Sequence, residues 1–350
     1  MDISKLNIAV LGTGANGAGI GADLVRAGLK VTFIDQWPDN VQAIRENKLK
    51  IILRETEHEQ LEVPVIHLCQ VAELQQKFDA VLLLVKAYDT GWACKLIEPY
   101  LAEDGFVVGV QNGLTGNAIA EMVGADRAVT AVIEVTSAMY EPGVVERHSG
   151  HDRSWFAVGA VDPASARHVP VAAKLLELAG VVEQCEDIDS PKWMKLILNA
   201  AELVPSAILD LSIVEATKYK GFKSVMLEAG DEAVKAAQVL GHTIRPIFGM
   251  SGTDAGNPET FVRTILDELS KNYILPHSKS TVLQDWIKGR HSEVNELNGL
   301  VVTSLAKNGM AAPTNQAVVE FAIDIEQGRK TRGLHNYEPL LERIKELKAS

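Results

Sequence analysis

Residues 7–17 read Asn7-Ile-Ala-Val-Leu11-Gly12-Thr-Gly14-Ala-Asn16-Gly17. The apolar part has the length and composition of a strand buried in a parallel sheet. A helical pattern follows over 15–27, and Gly28 closes it. A second strand-like run, Val31-Thr-Phe-Ile34, ends at Asp35. Strand, glycine turn, helix, strand and acid, in that order, are what a dinucleotide requires. The first glycine permits a tight turn, the second lets the backbone approach a pyrophosphate, and the third lets helix and strand pack closely. The helix N-terminus then faces the phosphates. Gly12, Gly14, Asn16 and Gly17 are therefore cofactor-binding candidates. A doubly wound domain whose glycine turn holds no ligand would show the same spacing.

Asp35 stands at the offset where a carboxylate accepts hydrogen bonds from the adenosine ribose and repels a 2′-phosphate. Gln36-Trp37-Pro38 follow it and contain no Arg or Lys to hold that phosphate. The expected cofactor is NAD, with NADP as the alternative. A solvated strand-end aspartate is the plainer reading of Asp35.

The 350 residues suggest two domains, each able to bury a core. With Lys+Arg 34 against Asp+Glu 46, the net charge of −12 argues against nucleic-acid or anionic-membrane partners. The first strand begins within the first ten residues, so no signal peptide is expected, and no apolar run approaches membrane-spanning length. Cys69, Cys94 and Cys185 are scattered. They fit reduced thiols in a cytoplasmic protein rather than a disulfide frame or a metal site.

Residues 80–85, 106–110, 129–135, 144–146 and 155–158 read as further strands, with helices over 91–101 and 164–179. The texture changes at Asp187-Ile-Asp-Ser-Pro191. Ser190 suits an N-cap and Pro191 a first helical turn. Helical patterns continue at about 191–209, 222–240, 258–271, 293–308 and 314–326, while 248–258 has the composition of a loop. The expected domains are 1–189 and 190–350, with substrate in the cleft between them.

Polar residues end the strands of the first half. Lys86 follows one, and Gln111-Asn112-Gly113 follows another. Ligands of doubly wound sheets bind beyond such carboxyl ends, and Asn112 can donate and accept together. Taken alone, Gln-Asn-Gly is equally a turn. Lys195 and Asn199 are four apart and share a helical face amid Leu196, Ile197 and Leu198. A desolvated lysine there can donate a proton, although a snorkelling stem is the commoner outcome. Lys192 is its rival on the same helix. Ser292 can cap a helix whose first residue is Glu293, an ordinary first-turn acid when read alone. His148 and His151 read as loop histidines, and Trp286 as core or pocket wall.

These pieces occur in a fixed order: the glycine turn, Lys86, Gln111-Asn112-Gly113, Lys195-x-x-x-Asn199, Thr281-x-x-Gln-Asp285, and Glu293-x-x-x-Leu-Asn-Gly299. In that order the chain resembles ketopantoate reductases over nearly its whole length. The resemblance implies an α/β Rossmann domain followed by a mostly helical domain like the C-terminal part of 6-phosphogluconate dehydrogenase. It implies hydride transfer between a nicotinamide and a 2-oxo or 2-hydroxy acid, and a homodimer. Lys195 would protonate the forming alkoxide. Glu293 would engage substrate and support the lysine. Lys86 and Asn112 would serve cofactor and substrate, and Asn199 would be the first of two substrate asparagines.

Four departures stand out. Leu203 occupies the place of the second asparagine, or Val204 in a register shifted by one; Thr281 takes that of a serine; the loop around 248–258 is longer than the family's; and the cofactor signal favours NAD in a family that usually takes NADP. They point to a bulkier or more apolar substrate than ketopantoate. A true 2-dehydropantoate 2-reductase is the alternative, and a nucleotide sensor without turnover is an alternative of another class.

Overall fold

Ile8 and Val10 of the first strand pack into one apolar cluster with Phe33, Ile20 and Leu24. Ala9 and Leu11 pack into a second cluster with Ile34, Val81 and Ile97. Alternate residues point to opposite faces, and both faces are covered. That is why the strand reads as an unbroken apolar run rather than an alternating one. The computed structural model describes residues 2–53, 57–251 and 253–349. The chain divides into two units, Met1–Ile188 and Asp189–Ser350.

The strands of the first unit are β1 (Asn7–Leu11), β2 (Lys30–Asp35), β3 (Leu49–Leu53), β4 (Glu57–Leu61), β5 (Val65–His67), β6 (Phe78–Leu83), β7 (Leu101–Val110), β8 (Ala128–Glu134), β9 (Ser137–Ala138), β10 (Val144–Arg147), β11 (Trp155–Ala160) and β12 (Val181–Gln184). Its helices are α1 (Ala15–Arg26), α2 (Pro38–Asn47), α3 (Thr90–Ile97), α4 (Gly116–Val123) and α5 (Val169–Leu176). The main sheet runs β12-β11-β8-β7-β6-β1-β2-β5, parallel except for the β11–β8 pair. The chain leaves β1 for β2 on one side and returns to β6 on the other. The strand order therefore reverses at β1, and the crevice beyond its carboxyl end is where such sheets bind ligands.

The structure redraws two expected helices. The helix at 91–101 stops at Ile97, because Pro99 enters a 3-10 turn (Glu98–Tyr100) and Leu101 already opens β7. The helix at 164–179 is a 3-10 turn over Pro163–His168, then α5 with Pro170 in its first turn.

A second sheet, β4-β3-β10-β9, is tied to α1 through Arg147. This buried guanidinium pairs with Asp23, donates to the Ser149 and Ala179 carbonyls at 3.0 and 2.8 Å, and reaches the Ser154 hydroxyl at 3.4 Å. Asp23 also pairs with Arg26.

The second unit is helical: α6 (Asp189–Ile208), α7 (Ile213–Lys218), α8 (Lys223–Val239), α9 (Phe261–Asn272), α10 (Thr281–Ile287), α11 (Leu300–Lys307), α12 (Pro313–Glu326) and α13 (Tyr337–Ala349). From Ser190 to Ile208 every residue of α6 is buried, so this helix is surrounded on all sides. Pro205 lies inside it and removes one backbone donor. Nearby carbonyls are served by hydroxyls instead: Ser206 donates to Glu202 at 2.6 Å and Ser280 to Leu203 at 2.9 Å. Among the described residues, no helix is long and apolar enough to cross a membrane.

Candidate active site

The glycine turn of the first unit has the shape that a dinucleotide needs. Gly12 has φ +93°, and a Cβ there would meet the Val85 nitrogen at 2.7 Å. A Cβ on Gly17 would overlap the Gly12 carbonyl oxygen, so α1 packs directly on the turn. Gly14 differs: a Cβ there would meet nothing within 4 Å. Gly14 is also the N-cap of α1, no side chain caps it, and the first turn carries no acid. The helix therefore offers its first amides to an anion in open space. These residues fit a dinucleotide pyrophosphate. Asn16 is turned toward β9, where its Oδ1 accepts from the Ser137 hydroxyl.

Asp35 has a task in the fold itself. It is only 5% exposed. Its Oδ2 accepts from the Thr13 amide at 2.9 Å, the Thr13 hydroxyl at 2.5 Å and the Asn40 amide group at 3.1 Å; its Oδ1 accepts from the Trp37 amide at 2.8 Å. Three of these four bonds fall on Oδ2 and one on Oδ1. Asp35 thus braces the glycine turn from behind. Asn40 completes the brace by donating to the Thr13 carbonyl and accepting from the Gly143 amide.

Lys86 follows β6 as the N-cap of the 3-10 turn Ala87–Asp89. Gln111 lashes two strand ends together by donating to the Val85 carbonyl at 2.8 Å and the Thr90 hydroxyl at 3.0 Å. Asn112 follows, half-buried, and Gly113 turns with φ +73°. Both motif ends lie beyond carboxyl ends of parallel strands, on the ligand side of the sheet.

In the second unit the motifs meet around α6. Lys195, Asn199 and Leu203 succeed one another by a turn each. Ser280 caps α10 by accepting from the Leu283 amide, and the same hydroxyl donates to the Leu203 carbonyl. That one side chain docks Thr281, first residue of α10, against α6. The Asn199 Nδ2 and the Thr281 Oγ1 are buried and have no hydrogen-bond partner. Orphaned polar atoms are expensive in a core, and two of them in one place suggest a ligand that supplies the missing groups.

The Lys195 ammonium lies 5.4 Å from the Phe248 ring centroid, within cation–π range. Phe248 has φ +61°, a left-handed backbone that a bulky residue rarely adopts. Tyr273 holds it there, with the two rings tilted at 43° and 5.1 Å apart, and donates its hydroxyl to the Phe248 carbonyl at 3.0 Å. No signal in the sequence marks Phe248, which sits in the loop over 248–258.

Glu293 is buried, but it does not open an α-helix capped by Ser292. Ser292 instead donates its hydroxyl and amide to Glu326, which also accepts from the Trp286 indole at 2.9 Å. The helix begins as a π segment, Asn295–Gly299, a distortion common near functional groups. A relay fixes this segment. Glu232 accepts from the Thr314 and Asn315 amides, each at 2.8 Å, at the start of α12. The Asn315 side chain accepts from Asn298, and Asn298 donates to the Ala200 carbonyl at 2.9 Å. Asn298 thus ties the π segment to α6 beside Asn199.

Lys192 is the more deeply buried lysine, 3% exposed against 8% for Lys195. Burial pulls its ammonium down to about 7, opposed by the nearby Asp189 and Glu293 carboxylates. An unfolded lysine keeps its proton to about pH 10.4. The folded state therefore binds fewer protons than the unfolded one between these values, and stability falls as pH drops from about 10 to about 7. Lys192→Met should flatten that slope and raise the melting temperature most near neutrality. Parallel thermal melts of both proteins across the window check it.

A glycine turn with open N-terminal amides at the switch point of a parallel sheet, joined to a helical unit with a buried lysine, defines a nicotinamide-dependent oxidoreductase. The chain belongs to the ketopantoate reductase family: residues 8–161 match ketopantoate reductase PanE/ApbA and residues 187–326 its C-terminal part. It is similar to the 2-dehydropantoate 2-reductase of Aquifex aeolicus (strain VF5), with 25% identity over 90% of this chain and 96% of the relative. Among solved structures it resembles a PanE/ApbA family ketopantoate reductase from Ralstonia eutropha JMP134, with TM-score 0.76 and 28% identity over 92% of this chain and 98% of that one. It also shares its fold with a D-mandelate dehydrogenase solved with NADH and anilino(oxo)acetate, with TM-score 0.80 and 21% identity over 92% and 98% of the two chains.

Proposed function

We propose that the protein interconverts a 2-oxo acid and its 2-hydroxy acid with NAD(H), and that the side chain of its substrate is bulkier or more apolar than that of ketopantoate. The observation that carries this reading is the face of α6, where Lys195 precedes Asn199 with its unpartnered amide nitrogen and Leu203 beside the unpartnered Thr281 hydroxyl. The glycine turn, with Gly14 and α1, holds the cofactor pyrophosphate, and Lys86 and Asn112 flank the cofactor from the strand ends. A bound nicotinamide supplies a hydride to the keto carbon, and the carbonyl π electrons move to oxygen. The Lys195 ammonium lies against that oxygen, stabilises the charge and transfers one proton to it. Water then reprotonates the amine. Asn199 and Thr281 donate to the acid's oxygens. Glu293 accepts from the substrate hydroxyl.

Leu203 decides the substrate class in this reading. An amide at that place would bind a polar substituent, whereas leucine offers an apolar wall. A site built for a hydroxyl rejects poor matches strongly, while an apolar wall gains about 1–3 kcal/mol per methylene. The D-mandelate dehydrogenase fold accommodates an aromatic acid of this kind. Branched and aromatic 2-oxo acids should exceed ketopantoate in kcat/KM, and Leu203→Asn should move the preference back. The names of the curated relatives favour a second reading, 2-dehydropantoate 2-reductase itself. A wild-type preference for ketopantoate of about tenfold or more would select it.

A further inference from the structure

The expected ribose acid, Asp35, is only 5% exposed and accepts four bonds from the chain, so a more accessible carboxylate is the better candidate to face the ribose if the turn binds NAD(H). We infer that Asp89, held by Gln36 and Trp92, is the carboxylate that binds the adenosine ribose hydroxyls and excludes a 2′-phosphate. The inference rests on the cofactor reading above and deepens it.

Three observations carry it. First, Asp89 bridges the crevice. Gln36 directly follows β2, and Asp89 ends the 3-10 turn that follows β6. These two strands flank β1. The Gln36 amide nitrogen donates to Asp89 Oδ2 at 3.3 Å, so the pair spans the carboxyl end of β1, just beyond the glycine turn. This is the switch-point crevice, where the adenosine half of a dinucleotide lies.

Second, Asp89 has acceptor capacity left. Among the described residues, its carboxylate accepts, apart from Gln36, from the Trp92 indole, at 2.6 Å. Two of about four positions are used, one on each oxygen. The carboxylate is oriented by two neutral donors and is not neutralised by them. Asp89 is half-buried, while Trp92 and Tyr88 beside it are exposed.

Third, the polar side chains around Gln36 are engaged with the chain. The His67 Nδ1 accepts from the Cys69 amide at 3.3 Å, and its Nε2 lies 3.2 Å from the Gln36 carbonyl oxygen. The Arg45 guanidinium is turned to the Val65 carbonyl and the Gln70 side chain. A 2′-phosphate, carrying nearly two charges, would meet the Asp89 carboxylate, with Lys86, three residues earlier at the start of the same turn, as the nearest cation in sequence, whereas a 2′-hydroxyl would donate to the carboxylate.

The test is calorimetric titration of the intact protein with NADH and with NADPH, for wild type, Asp89→Asn and Asp89→Ser, with a thermal melt of each to confirm folding. The wild type should bind NADH at least about tenfold tighter than NADPH. Asp89→Asn should weaken NADH several-fold, tighten NADPH, and bring the ratio close to one; Asp89→Ser should do the same. Asp35→Asn should behave differently. It should lower the melting temperature and weaken both cofactors alike, because the turn itself is loosened. If NADH binds and both Asp89 variants keep the wild-type ratio, the inference is overturned while the cofactor reading stands. A wild type that prefers NADPH also overturns it. If neither cofactor binds, the cofactor reading falls and the inference with it.

Discussion

Replacing Lys195 with methionine should lower kcat at least about a hundredfold while leaving the affinity for NADH unchanged. Methionine keeps the length of the stem and its packing, so the loss isolates the ammonium. Charge develops on the keto oxygen only as the hydride arrives, so a group that stabilises and protonates it acts in the transition state. Its removal appears in kcat rather than in KM. Lys192 provides the internal control. It lies three residues earlier on the same helix, and its burial favours the neutral form. Lys192→Met should retain most of kcat. The assignment of the proton to Lys195 fails if the two variants lose activity equally, or if Lys195→Met changes KM alone.

The second large effect concerns stability. Arg147→Ala should destabilise the protein by at most about 3–5 kcal/mol, because it leaves the buried Asp23 carboxylate with Arg26 as its remaining charged partner and removes donors from two buried carbonyls. Arg147→Lys should recover little, since an ammonium cannot reproduce the planar fork that reaches Ser149, Asp23 and Ala179 together. Arg147→Met should cost less than Arg147→Ala where it is paired with Asp23→Leu, because that double change removes both charges. Urea unfolding followed by circular dichroism measures all of these.

The parts of the fold that are legible in the sequence are those whose burial leaves a one-dimensional trace. β1, β2 and β6 are buried on both faces, and α6 is buried all round with its few polar residues set among apolar ones, so runs of hydrophobic residues mark them. Of the second sheet, β10 is read as a strand at 144–146, while its neighbours go unmarked. β4 is polar along most of its length, and β9 is two residues long. β12 is an edge strand with exposed ends, so it lacks a clean period. The site divides in the same way. Glycine roles follow from spacing, because steric limits on φ are local. What Asp35 does for the glycine turn depends on Thr13 and Asn40, whose positions are tertiary, and the strand-end rule therefore does not show that it braces the turn. Phe248 over Lys195, and the Ser292–Glu326 anchor that displaces the expected N-cap before Glu293, are likewise contacts between distant segments. The ordered motifs of the resemblance capture the family because they preserve such contacts without displaying them.

One measurement bears most directly on the whole account: the absorbance of NADH mixed with the intact protein and, in turn, ketopantoate, a branched 2-oxo acid and an aromatic 2-oxo acid. Catalytic loss of NADH with at least one of them, faster with an apolar acid than with ketopantoate and abolished in Lys195→Met, is the predicted result. NADH that binds but is consumed with none of the three acids would contradict the account and leave a nucleotide-sensing protein in place of an enzyme.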